Sequence, residues 1–154
     1  MVVDAHALYR QAYQSFQAAT ADLKILQEEY IRSREPVIAA RADELIEQIP
    51  SLLEAASKKG WIEDVLVRCD PVEPCSPYIY SAEHELDLLR SLEDRLVAEE
   101  IAKRLVDDKS VKVRRRHWTY TDSPSFSGFD LLVTVNISTD QRAAIRAAIN
   151  EETR

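Results

Sequence analysis

Apolar or small residues recur at alternating steps of three and four from the start of the chain: Val2, Ala5, Tyr9, Ala12, Phe16, Ala19, Leu23, Leu26 and Tyr30. A seven-residue repeat sustained over roughly four heptads marks a helix whose stripe packs lengthwise on another helix. No Gly or Pro precedes Pro36, so residues 4–34 are expected to form one helix about 45 Å long at ~1.5 Å per residue. The seam alternates alanines with aromatics, which lets helices approach closely while the rings fill the gaps. Leu8, Tyr13 and Ile31 widen the apolar face. A second series follows Pro36: Ile38, Ala42, Leu45, Ile49, Leu52 and Ala56, with Pro50 inside it and Gly60 after Lys58 and Lys59. Proline disfavours a helical residue before it, and a glycine can end a helix, so two helices separated near Pro36 are expected. Joined by a short break, they read as an antiparallel hairpin over residues 1–60. Its first helix overhangs the second by about a heptad.

Beyond Gly60 the period changes. Val65, Val67 and Cys69 alternate with Leu66 and Arg68, so residues 61–69 read as a strand. Three prolines within 71–77 make a stiff, partly extended loop. Ser81 then reads as a helix cap, with Glu83, Glu85 and Asp87 in the first turn, where negative charge suits the helix dipole. Leu86, Leu89, Leu92, Leu96, Val97, Ile101 and Leu105 give that helix a broad apolar face to about Val106. Residues 111–121 form a second strand and residues 129–137 a third. In the third, Phe129, Leu131, Val133, Val135 and Ile137 point inward, and Leu132 is the exception to the alternation. The turn-rich connection 122–128 predicts an antiparallel hairpin between these two strands. Ser138 and Gln141 fit a capping box for a last helix that buries Ile145, Ala148 and Ile149. The whole is an α+β chain of order ααβαββα. It divides into a helical arm (1–60) and a small three-stranded α+β domain (61–154). The helix between strands one and two is expected to make a parallel crossover.

Composition narrows the function more than the fold. The 154 residues carry 20 Lys+Arg against 27 Asp+Glu, a net of −7, which argues against general affinity for DNA or anionic membranes. Charge is uneven: the middle of the chain is acidic and residues 111–154 are mildly basic. Only Gly60 and Gly128 are glycines, so there is no glycine-rich phosphate loop. The start Met1-Val2-Val3-Asp4 lacks the basic and apolar regions of a signal peptide, which gives a cytoplasmic expectation. Cys69 and Cys75 are then two reduced thiols, with a local disulfide across the proline loop as the alternative.

Four groups of side chains bear on function. Lys112, Arg114, Arg116 and Trp118 share one strand face at period two. Such a set is a candidate contact for nucleic acid or an acidic protein, or an ordinary solvated face. Cys69, Cys75, His84 and His117 fit no common zinc spacing, and no metal is expected. His84 among Glu83 and Glu85 has a sufficient reason in helix capping. With no nucleophile or nucleotide motif, no catalytic residue and no cofactor are assigned. Tyr78, Tyr80, Trp118, Tyr120, Phe126 and Phe129 are aromatics of the kind favoured in protein interfaces, or residues folded over a sheet edge.

The segments Leu53–Gly60, Val65–Val67 and His117–Trp118 give residues 53–137 a layout that resembles a loose class of small viral and phage accessory proteins. The resemblance implies an accessory or virion role, in host cytoplasm or particle, and carries over no catalytic residue. The sequence therefore predicts a non-enzymatic oligomerising or scaffold protein. It would associate with copies of itself, or with a protein partner, through Tyr9, Ala12, Phe16, Ala19, Leu23, Leu26 and Tyr30. The alternatives are a nucleic-acid-associated regulator using residues 112–118, and an acidic inhibitor presenting helix 83–108 to a host protein.

Overall fold

The structure is a computed structural model. It describes the backbone of residues 1–71, 82–120 and 123–153, and no side chains at 82–88, 120 and 123–126. Its elements are α1 (Ala5–Lys58), β1 (Glu63–Cys69), α2 (Ala82–Leu105), β2 (Val111–Tyr120), β3 (Ser123–Val135) and α3 (Thr139–Glu152).

The expected helical hairpin is a single helix. α1 runs unbroken for 54 residues through Pro36 and Pro50, roughly 80 Å at ~1.5 Å per residue. Each proline removes one helical donor, at a cost of about 3 kcal/mol for an interior position. Tertiary burial offsets that cost, because the helix on either side lies on one continuous stripe. Phe16, Leu23, Tyr30, Arg34, Ile38, Ala42, Leu45, Ile49, Leu52 and Ala56 are all buried or half-buried. Arg34 occupies the position that separates the two apolar series, and it faces inward with the rest. The helix ends where Gly60 takes φ +88°, a left-handed conformation that favours glycine.

The three strands form one sheet in the order β1-β3-β2. Both outer strands are antiparallel to β3. β1 and β2 therefore run parallel to each other, as a helical crossover requires, but β3 is inserted between them rather than lying at the edge. The alternation of β3 permits this position, because Phe129, Leu131 and Val133 face a helical layer while Leu132 is buried on the opposite face. β3 also starts earlier than its apolar run. Residues 123–128 belong to the strand, so most of the connection read as turn is sheet, and residues 121–122 lie outside the described part.

One core joins the two halves of the chain. Ile38, Ala42 and Ile49 of α1 pack in the same buried cluster as Val97, Ala98, Ile101 and Leu105 of α2. Val67, Cys69, Phe129, Leu131 and Val133 complete it from one face of the sheet. The residues on either side of Gly60 thus share a single hydrophobic core, and α1 and α2 form the layer that covers the sheet. α3 departs from the expectation of a buried face: all its residues, including Ile145 and Ile149, are exposed.

Candidate functional site

Beyond the stretch of α1 that packs on α2, the helix continues toward its N-terminus. Asp4 caps it, its carboxylate accepting from the Ala7 N–H at 3.0 Å. Residues 5–15 are exposed throughout. Tyr9 is 73% exposed and Tyr13 52%, and their rings stack with centroids 6.4 Å apart. Leu8 and Leu26 are exposed as well. Between Ala5 and Ala21 the only Asp, Glu, Lys or Arg is Arg10, in a chain that is 31% charged. The arm is thus an exposed helix with aromatic and aliphatic knobs and almost no charge.

The seven expected interface residues divide along this helix. Tyr9, Ala12 and Leu26 are exposed, whereas Phe16, Ala19, Leu23 and Tyr30 are half-buried. Tyr30 is engaged within the chain, its hydroxyl donating to Glu93 at 3.4 Å. That contact belongs to a cluster at the root of the arm which the sequence reading did not find. Glu93 is only 5% exposed. Its carboxylate accepts from Arg34 Nε at 2.8 Å, Arg34 Nη2 at 3.2 Å and Arg41 Nη1 at 3.0 Å. Arg41 also donates to Asp94 at 2.8 Å. The hydrogen bonds from Arg34, and then those from Arg41, hold the Glu93 carboxyl below its ordinary value, against the opposing effect of burial. These charge-assisted bonds tie α1 to α2 where the arm leaves the body. Arg34 breaking the apolar stripe was the available signal, since an arginine at a seam position needs an acidic partner.

The second candidate lies on the sheet face away from the helices. Lys112, Arg114, Arg116 and Trp118 do share that face, and β1 adds Arg68. Arg114 donates to Glu63 at 2.9 and 3.3 Å, and Arg116 to Asp130 at 3.0 Å. Arg68 stacks 4.9 Å above the Trp118 ring. Leu132 is buried in the middle of this face, with Trp61, Val65 and Arg116 around it. The four cations are therefore set against two carboxylates that already bind two of them.

On the helical face, Cys69, Phe129 and His117 form one cross-strand row. Phe129 is a core residue rather than an exposed aromatic, and the Arg95 and Arg115 guanidinium groups lie 5.4 and 4.9 Å from its centroid. Burial pushes the Cys69 thiol up to about 11, with a smaller contribution from Asp94. Such a thiol is a packing group rather than a nucleophile. Cys75, Tyr78, Tyr80 and the side chains of Glu83, His84, Glu85, Tyr120 and Phe126 lie outside the described residues. Among the described residues no three His, Cys, Asp or Glu side chains are gathered as a metal site, and no helix is long and apolar enough to cross a membrane. No family model matches the chain, and the curated proteins and solved structures contain no match to it.

Proposed function

We propose that this protein is a non-enzymatic scaffold that associates with copies of itself through the projecting half of α1. The observation that carries this reading is the exposure of Leu8, Tyr9 and Tyr13 on an almost uncharged helix. A solvated helical arm gains nothing from such a surface. Tyrosines and leucines at helical spacing are what a partner helix buries. The Glu93 cluster supports the same role, because it fixes the direction in which the arm leaves the body. The resemblance of residues 53–137 to small viral accessory proteins fits a protein that works by assembly rather than by chemistry.

The test is the assembly mass of a Tyr9→Asp/Tyr13→Asp variant in sedimentation. Both side chains are exposed, so the fold tolerates the change. A loss of mass relative to the parent supports the arm as the association surface. An assembled variant of unchanged mass overturns it.

A second reading rests on the joint placement of Lys112, Arg114, Arg116, Arg68 and Trp118 on one sheet face. It makes the protein a nucleic-acid-associated regulator. The internal pairs to Glu63 and Asp130 weigh against it, since phosphates would have to compete with carboxylates already in place. Retention of single-stranded nucleic acid that falls steeply with salt, and is lost on Arg114→Glu/Arg116→Glu, would favour this reading over the first.

A further inference from the structure

α3 carries an apolar face that covers nothing in a single copy. Ser138 caps it: its hydroxyl accepts from the Gln141 N–H at 3.1 Å, while the Gln141 side chain accepts from the Ser138 N–H at 2.8 Å. The link before it is anchored as well. Asn136 donates from its backbone to Ser110 at 2.9 Å and from its side chain to Lys109 at 3.0 Å. These bonds fix where the helix leaves the sheet, and from there every residue of α3 is exposed. Ile145 and Ile149 stand one turn apart, 49% and 52% exposed, with Ala148 beside them. At ~100° per residue, Arg142 and Arg146 follow each other along one rim of this face. A helix of 14 residues is marginal in water unless its apolar face is packed.

A groove of matching character lies between α1 and α2. It encloses about 440 Å³, and its floor is Ile31, Ile38, Ala39 and Leu96. Glu35 on one side and Glu99 and Glu100 on the other rim it, with Lys103 at one end. Glu100 is engaged by Arg104. Among the described residues Glu35 and Glu99 form no ion pair, and neither do Arg142 and Arg146. Ile31 to Ala39 spans about 12 Å of helix, which is the length from Gln141 to Ile149 at ~1.5 Å per residue. An apolar groove with an acidic rim and an apolar helix face with a basic rim thus occur in one chain, and in one copy they are apart.

We propose that α3 of one copy seats Ile145 and Ile149 in the α1–α2 groove of a second copy, with Arg142 and Arg146 against Glu35 and Glu99. This is helix-in-groove recognition between like chains, with charge setting the register. It rests on the reading that copies associate, but it uses a surface apart from the arm.

The experiment mixes two full-length variants, both carrying Cys75→Ser, so that the buried Cys69 is the remaining native thiol. One carries Ile149→Cys and the other Ala39→Cys. Under oxidation a disulfide-linked pair of the two chains is expected. Its yield should be about tenfold above that of a control in which Ala147→Cys, on the opposite face of α3 at ~100° per residue, replaces Ile149→Cys. Adding Arg142→Glu/Arg146→Glu to the first chain should remove the excess, and adding Glu35→Arg/Glu99→Arg to the second should restore it. A yield no higher than the Ala147→Cys control overturns the proposal. So does closure within a single chain carrying both Ile149→Cys and Ala39→Cys, under dilution that abolishes the two-chain product, because α3 would then occupy its own groove. Repeating the mixture on the Tyr9→Asp/Tyr13→Asp background separates the two surfaces. A retained cross-link with reduced assembly mass supports both, and a retained cross-link with unchanged mass supports α3 docking while removing the arm.

Discussion

At Gly128 the packing leaves no space for even a methyl group. A Cβ there would lie 2.5 Å from the Cys69 carbonyl oxygen and 2.5 Å from Trp118 Cζ2. One neighbour is backbone of the adjacent strand and the other is a ring held beneath Arg68, so neither yields easily. Gly128→Ala is expected to destabilise the fold by about 1–3 kcal/mol, as overpacking does, seen as a lower urea midpoint. Glu93 sets a pH dependence. Its carboxyl titrates below the ordinary 4.5 in the native state because Arg34 and Arg41 donate to it. The stabilisation is therefore complete above 4.5 and is lost as pH falls through the lowered native value. Glu93→Gln should remove that segment of the acid titration and cost roughly 1–3 kcal/mol at neutral pH. Urea titrations at pH 7 and at a pH below the lowered native value check this: parent and variant should differ at the first and converge at the second.

At the scale of elements, α1 distinguishes what a local rule reports from what packing decides. Pro36 locally predicts a break, and the helix runs through it. The stripe itself held the contrary signal, because the step of four from Tyr30 to Arg34 and again to Ile38 keeps the helical phase across the proline. Pro36→Ala is therefore expected to raise stability by about 1–3 kcal/mol by restoring a helical hydrogen bond. At a true helix boundary the same change would be neutral or unfavourable, and thermal unfolding distinguishes the two. The strands were legible for a different reason. Phe129, Leu131 and Val133 alternate because one face of β3 lies under the helices, and Leu132 departs from the pattern because the outer face also buries its centre. The position of β3 between β1 and β2 was not legible, since alternation shows which face is covered and not which strand is the neighbour. The basic stripe was legible as a face, whereas the carboxylates that bind Arg114 and Arg116 arrive from other strands at 51 and 14 residues' separation. The isolation of α3 was likewise hidden, because an amphipathic pattern states that a face is to be covered and not by which chain.

At the scale of the whole molecule, α1 does two things. Its C-terminal half supplies Ile38, Ala42 and Ile49 to the one core. Its N-terminal half leaves the body with Leu8, Tyr9 and Tyr13 uncovered, directed by the Glu93 cluster. An association surface built this way is apolar and nearly uncharged, so its strength should change little with salt, unlike a contact made through the basic sheet face. The most direct test is the solution mass by light scattering across a range of protein concentration and salt. The account predicts a defined multiple of 17.6 kDa that persists at high salt and falls with dilution. A single chain of 17.6 kDa at every concentration would contradict it.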